Sequence, residues 1–216
     1  MLRSPGRAGR RTARDPARTR ERLIRAAYQE ILRSGVRSAD IDAILSAARV
    51  TKGALYHHFE SKEAIGYAVV DEVIAGMTRD KWVSPLGDAR DPVDALIGIV
   101  LAASLRPEDI EYGCPLNNVS QEMSPIDEGF RKRTAAIFGD WHRAIAAALR
   151  RGQAIGQVRS DVDVEEAAAY VIALYEGFTS LAKNSQDARV VQTGQKGMIR
   201  FLESLRAARR RRSKSD

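Results

Sequence analysis

Hydrophobic residues recur along this 216-residue chain at intervals of three and four, the spacing of one face of an α-helix. In the first such stretch, Leu23, Ala27 and Ile31 lie four residues apart, and Gly35 follows where a helix would end. No segment shows a convincing alternation of apolar and polar residues. The pattern therefore predicts an all-α fold of about nine helices.

Capping residues divide the rest of the chain into further helices. Ser38 or Asp40 is placed to cap a short helix over 41–48, Thr51 to cap one over 52–58, and Ser61 to cap a longer one to about residue 81. Beyond these, the pattern predicts a linker over 84–91, a loop over 106–113, and helices over about 91–105, 115–124, 127–154, 164–183 and 189–210.

The two short helices are joined by about three residues, which is typical of a helix-turn-helix. We expect a three-helix DNA-binding domain over 17–66, with this motif at 40–59. A larger helical domain follows over 67–205. Before and after these two domains, we expect a disordered basic arm over 1–16 and a basic tail over 206–216.

The formal net charge of +7 is distributed unevenly. Residues 1–66 carry a net +7, whereas the −5 of residues 67–205 and the +5 of residues 206–216 cancel. A uniformly basic globule of the histone type is excluded. The distribution places a polyanion partner at the N-terminal domain and leaves the tail unexplained.

Other chemistries find little support in the composition. With one cysteine and three histidines, the chain can form neither an intramolecular disulfide nor a Cys₄ or Cys₂His₂ zinc site. The one thiol–imidazole pair outside the helix-turn-helix, Cys114 with His142, has no catalytic context. Without a secretory signal or an apolar run of about 18 residues, we expect a cytoplasmic, non-enzymatic protein with no metal or cofactor.

The segment 35–65 is the most specific part of the sequence. Together with the first predicted helix, it resembles the DNA-binding domain of the tetracycline-repressor (TetR) family, over about 45 residues without a gap. The matching residues are Leu23, Ile24, Ala26, Ala27, Gly35, Ile41, Ile44, Ala47, Ala48, Val50, Thr51, Lys52, Gly53, Leu55, Tyr56, His58, Phe59, Ser61, Lys62 and Glu63. One departure is Arg49, where the family usually has Gly. It predicts either a left-handed residue or a different turn, and it adds a possible phosphate contact.

A helix entering the major groove needs a slim N-terminal half with polar groups in its first turn. The expected DNA-binding residues are Arg49, Thr51, Lys52, Gly53, Ala54, Tyr56, His57 and Lys62. Half-buried packing is the alternative for Tyr56, and simple solvation is the alternative for Lys52 and Lys62. His58 is expected to pack beside Phe59. The basic arm is either a second DNA contact or merely a solubilising end.

For the larger domain, the resemblance implies a small-molecule pocket and a homodimer interface. The expected ligand-binding residues are Trp82, Tyr112, Cys114, Asn117, Asn118, Met123, Phe138, Trp141, His142, Tyr170 and Tyr175. The expected interface residues, on the last two helices, are Phe178, Leu181, Val191, Met198, Phe201, Leu202 and Leu205. Core packing is the alternative for each.

Cys114 precedes a predicted helix start, where the helix dipole would lower the thiol pKa and favour thiolate. The Gly113-Cys114 pair also resembles an element of some TetR-type regulators that respond to oxidants or electrophiles. The alternative is an inert, buried small hydrophobe.

Together these features predict a homodimeric, sequence-specific transcriptional regulator. We expect a repressor that a small-molecule inducer, in one alternative a thiol-reactive one, releases from a palindromic operator in double-stranded DNA. A DNA-binding activator or a nucleoid-associated protein without an inducer is the alternative.

Overall fold

The computed structural model describes residues 15–102 and 107–208. Most of the predicted arm (1–14) and of the predicted tail (209–216) lies outside these residues. The described chain contains helices and no strand, which confirms the all-α fold. The helices are α1 (Pro16–Ser34), α2 (Ile41–Ala48), α3 (Lys52–His58), α4 (62–87), α5 (Pro92–Leu101), α6 (Pro107–Tyr112), α7 (Pro115–Met123), α8 (Glu128–Ala154), α9 (Val164–Ser185) and α10 (Ala188–Ser204).

Side-chain caps set most helix starts, including those predicted at Asp40, Thr51 and Ser61. The Asp40 carboxylate accepts the Asp42 N–H at 2.9 Å, and the Ser61 hydroxyl accepts the Ala64 N–H at 3.1 Å. Asp15 caps α1 in the same way, so residues 15 and 16 of the predicted arm belong to the folded chain. Each cap satisfies a backbone donor that the first helical turn leaves unpaired.

Three predicted boundaries are wrong. The predicted loop at 106–113 contains the short helix α6, and the predicted linker at 84–91 is helical up to Gly87, where Leu86 is buried. The last helix ends at Ser204 rather than near residue 210.

Arg206 explains the early end of α10. Its guanidinium binds Asp91 at 2.9 Å and Glu203 at 2.6 Å and also pairs with Asp94, while its backbone forms an antiparallel bridge with Val158. Arg206 therefore fastens the segment after α10 to the start of α5 and belongs to the folded part of the chain.

Helix α4 connects the two parts of the molecule. It begins directly after α3 and contains two π-helical segments, Val69–Ile74 and Arg79–Val83. Near its start, Gly66 lies so close to α8 that an added Cβ would stand 2.7 Å from the ring of Phe130. Its far end packs in the larger domain, where Trp82 is buried against Trp141, with ring centroids 4.6 Å apart.

Candidate DNA-binding surface and ligand cavity

Helices α2 and α3 form the helix-turn-helix. The turn between them passes through Arg49, which has φ 53° and ψ 50°, the left-handed conformation that was the first of its two predicted alternatives. Leu55 and Phe59 face inward and are buried, and the Arg20 guanidinium lies over the Phe59 ring. The inward face of α3 therefore fixes the helix to α1 and leaves its other face to solvent.

The solvent face of α3 carries most of the residues that the sequence assigns to DNA contact. Thr51, Lys52, Gly53 and His57 are exposed, and Tyr56 is 48% exposed, which leaves its hydroxyl and half of its ring open to a partner. The Thr51 hydroxyl accepts the Ala54 N–H at 3.3 Å, which leaves its own proton for a phosphate or a base. Lys52 begins the helix, whose unpaired N–H groups favour an anion.

Lys62 lies apart from this face. Its ammonium donates a hydrogen bond to the Arg37 carbonyl at 2.7 Å, in the turn between α1 and α2. It therefore holds that turn, and a phosphate contact would have to share or replace this bond.

A cavity of about 890 Å³ lies in the larger domain, bounded by α4, α5, α7 and α9. Four of the eleven predicted ligand-binding residues line it: Trp82, Cys114, Trp141 and Tyr175. The aromatic rings form one wall, where Trp82, Trp141 and Tyr175 contact one another with centroids 4.6 to 5.8 Å apart. Within this wall, the buried Trp141 Nε1–H has no hydrogen-bond acceptor among the described residues.

Sequence reasoning missed the polar residues of the cavity, which are Thr78, Asp80, Lys81, Asp109 and Thr179. Asp80, Lys81 and Trp82 are consecutive, and an α-helix would spread them over more than half a turn. The π-helical segment Arg79–Val83 instead presents all three to the cavity. The Lys81 ammonium lies over the Tyr175 ring, 4.5 Å from its centroid, and donates to the Tyr175 hydroxyl.

Of the two alternatives for Cys114, the structure opposes the thiolate. Burial raises the pKa of the Cys114 thiol, and the neighbouring Glu176 carboxyl raises it further. The N–H groups of Leu116 and Asn117 lower it, as a helix start should, but their effect is smaller than that of burial. The cysteine is a neutral thiol in the cavity wall.

Glu176 is the unusual ionisable group here, and sequence reasoning missed it. Its side chain is 9% exposed, and neither carboxyl oxygen has a hydrogen-bond partner of regular geometry among the described residues. Burial raises the pKa of Glu176 to about 7, although the Cys114 thiol and the Lys81 ammonium both act to lower it. The sequence signal that could have identified Glu176 is a single carboxylate on the otherwise apolar buried face of α9.

The other seven predicted ligand-binding residues do not line the cavity. The Asn118 side chain donates to the backbone carbonyl of Tyr112, and the Asn117 side chain donates to the Ser180 hydroxyl on α9. The two asparagine side chains therefore join α7 to neighbouring helices. His142 bonds the Glu165 carbonyl, Phe138 stacks on the outer side of Trp141, and Met123 is in the core. Tyr170 is 49% exposed on the outside of α9. The rotation of each helix about its axis decides which of its residues face the cavity. For a helix that is apolar on several faces, the sequence predicts this rotation poorly.

The predicted dimer interface is also largely wrong. Five of its seven residues are buried within the single chain, because α9 packs on α8 and α10, and α10 packs on α5: Phe178, Val191, Met198, Leu202 and Leu205. Phe178 and Val191 even line the cavity. Leu181 is 61% exposed, and Phe201 is half-buried against Tyr170 with centroids 4.6 Å apart.

Comparisons with known proteins agree with both halves of the structure. Residues 23–69 match the family model described as bacterial regulatory proteins, tetR family, and residues 90–198 match the tetracyclin repressor-like C-terminal domain. The HTH-type transcriptional repressor DhaR of Mycobacterium sp. (strain GP1) is 33% identical over 165 residues, which are 76% of this chain and 81% of DhaR.

Two further proteins extend this similarity. The transcriptional regulator AcuR of Cereibacter sphaeroides is 29% identical over 186 residues, 83% of each chain. The crystal structure of a TetR transcriptional regulator from Chloroflexus aurantiacus, 28% identical, superposes with a TM-score of 0.81 over 91% of this chain and all of its own. The chain therefore belongs to the TetR family and is a DNA-binding transcriptional regulator.

Proposed function

We propose that this regulator is a homodimeric repressor that leaves a palindromic operator when a small molecule occupies the cavity. The observation that carries this proposal is the position of α4, which lines the cavity at one end and begins directly after the DNA-facing helix α3 at the other. A ligand that favours one position of α4 would shift the spacing of two recognition helices in a dimer. The operator then fits only one of the two states.

The proposed inducer binds noncovalently, because the raised pKa of Cys114 disfavours the thiolate that an electrophile would attack. A mainly apolar molecule that stacks on the aromatic wall fits the lining, and an acceptor on it would satisfy the Trp141 Nε1–H. We assign the operator contacts to the exposed face of α3, which carries Thr51, Lys52, Tyr56 and His57.

Gly98 offers a direct test of the cavity. It lines the cavity, and an added Cβ would meet no atom within 4 Å, so Gly98→Trp should place an indole in the space that a ligand would occupy. We expect this variant to bind the operator at least about tenfold more weakly with unchanged helical content. The operator is first selected from a random duplex library, and affinity is then measured by fluorescence anisotropy.

The matched control is Gly87→Trp, because Gly87 is exposed, equally open and outside the cavity. It should bind like the parent. Equal affinity for the parent and Gly98→Trp would exclude release by cavity occupancy.

Footprinting of the parent separates the classes of DNA-binding protein. Protection of one palindrome supports a sequence-specific regulator, and uniform coating supports a nucleoid-associated role.

We place the dimer contact on the outer face of α9, where Tyr170, Ala173, Gly177 and Leu181 are exposed at helical spacing. Leu181→Asp should therefore raise the dimer dissociation constant at least about 100-fold, because it would bury a charge in the contact. Light scattering should then report the 23.8 kDa chain mass rather than twice that mass. A dimer of unchanged stability would move the contact to another face. The control is Ala136→Asp, which introduces the same charge at an exposed residue of α8.

A further inference from the structure

The turn between α1 and α2 encloses a carboxylate from the larger domain. The Val36 and Arg37 N–H groups donate to the two oxygens of Glu122, at 2.8 and 2.9 Å. Consecutive N–H groups that converge on one anion form a nest, and hydrogen bonds to a charged acceptor are stronger than neutral ones. Glu122 lies near the end of α7, 86 residues after Val36 and 85 residues after Arg37.

Gly35 shows how closely this turn fits the carboxylate. Its φ is +82°, and an added Cβ would stand 2.8 Å from Glu122 Oε2. A side chain here would be strained and would also push the carboxylate away. The turn therefore has a backbone shape and a clearance that suit this one group.

The same turn sets the position of the helix-turn-helix. Lys62 at the start of α4 donates to the Arg37 carbonyl, and Glu30 on α1 accepts the N–H of Asp40, the residue that caps α2. Helix α2 leads through Arg49 directly into α3. A displacement of the turn thus moves the DNA-facing elements.

The other end of α7 forms part of the cavity wall. Cys114, Pro115 and Leu116 line the cavity, and Leu116 is fully buried. Nine residues of α-helix form a rod of about 13 Å. A ligand that displaces the wall would therefore move the rod that ends at Glu122.

We infer that Glu122 is a positioning residue that couples cavity occupancy to the orientation of the helix-turn-helix. This inference rests on the proposed function and adds a second link to the one through α4. Glu122 itself contacts neither DNA nor ligand. It transmits the position of α7 to the α1–α2 turn through the two charge-assisted hydrogen bonds.

The coupling is tested by a double-mutant cycle on the selected operator. Gly98→Trp should weaken binding at least about tenfold in the parent but only about threefold in Glu122→Ala, because one of the two links is then cut while the link through α4 remains. Glu122→Gln, which keeps one acceptor oxygen, should give an intermediate value. The control is Gln121→Ala, an exposed neighbour on α7 that should leave the full effect of Gly98→Trp. An equal effect of Gly98→Trp in the parent and in Glu122→Ala would overturn the inference.

A second measurement does not depend on the cavity. Glu122→Ala should accept operators whose half-sites are one base pair closer or farther with less than about threefold loss, whereas the parent should lose at least about tenfold. A merely destabilised protein would weaken binding to every spacing alike, and that outcome would reject a positioning role. If Gly98→Trp has no effect in the parent, the proposed release mechanism fails, while the spacing preference still decides the role of Glu122.

Discussion

Gly53→Glu should reduce operator affinity at least about 100-fold without unfolding the protein. Gly53 is the second residue of α3 and is exposed, and an added Cβ would meet no atom within 4 Å. The folded chain therefore has room for the side chain, and replacing a helical glycine stabilises a helix by roughly 0.5–1 kcal/mol. On the operator, the carboxylate would face DNA phosphates, and a like-charge contact of this kind costs several kcal/mol.

The measurement pairs anisotropy on the selected operator with a thermal melt of the free protein. Gly87→Glu introduces the same charge at another open, exposed glycine and should bind within about twofold of the parent. Unchanged operator affinity of Gly53→Glu would show that the slim face of α3 does not enter the groove. A lower melting temperature would instead show that Gly53 is needed for folding.

The helix-turn-helix could be predicted almost completely from the sequence because its signals are local. Asp40, Thr51 and Ser61 cap helices as their side chains and spacing indicated. Each cap joins residues two or three positions apart, so no distant contact is needed to form it. Arg49 illustrates the limit, since the sequence left two conformations open and the left-handed one is present.

The cavity could be predicted only in part because it depends on helix rotation and on contacts between distant residues. Trp82 and Trp141 are large, and their size alone suggested a wall. Lys81 reaches the cavity through a π-helical turn that leaves no local pattern in the sequence. Phe178 and Val191 were assigned to a dimer contact because apolar residues at helical spacing do not distinguish a core from an interface.

Contacts between residues that lie 85 to 115 positions apart also could not be predicted from the sequence. The bonds from Val36 and Arg37 to Glu122 and the pairing of Arg206 with Asp91 both join segments that only the folded chain brings together. Glu122 and Arg206 are charged residues on helical or terminal segments, where solvation is the ordinary expectation. Such residues become informative only when the backbone groups that they bind are known.

Glu176→Gln should make folding stability less dependent on pH and should stabilise the protein above neutrality. The unfolded chain releases the Glu176 proton near the ordinary pKa of 4.5, whereas the folded chain keeps it to about 7. Between these values the folded state binds more protons, so the free energy of unfolding falls as the pH rises. The stabilisation is fully present below pH 4.5 and is lost as the pH passes 7.

Because Glu176 is 9% exposed, little solvent screens this effect, and the loss between pH 5 and pH 8 amounts to roughly 2–3 kcal/mol. A glutamine keeps the shape of the side chain and cannot ionise, so the variant should lack this loss. Urea unfolding of both proteins at the two pH values gives the difference, which cancels contributions from other groups. The exposed Glu166→Gln on the same helix should behave like the parent. A parent and a Glu176→Gln variant that lose stability in parallel would show that Glu176 ionises near its ordinary pKa, and the carboxyl beside Cys114 would then be charged at neutral pH.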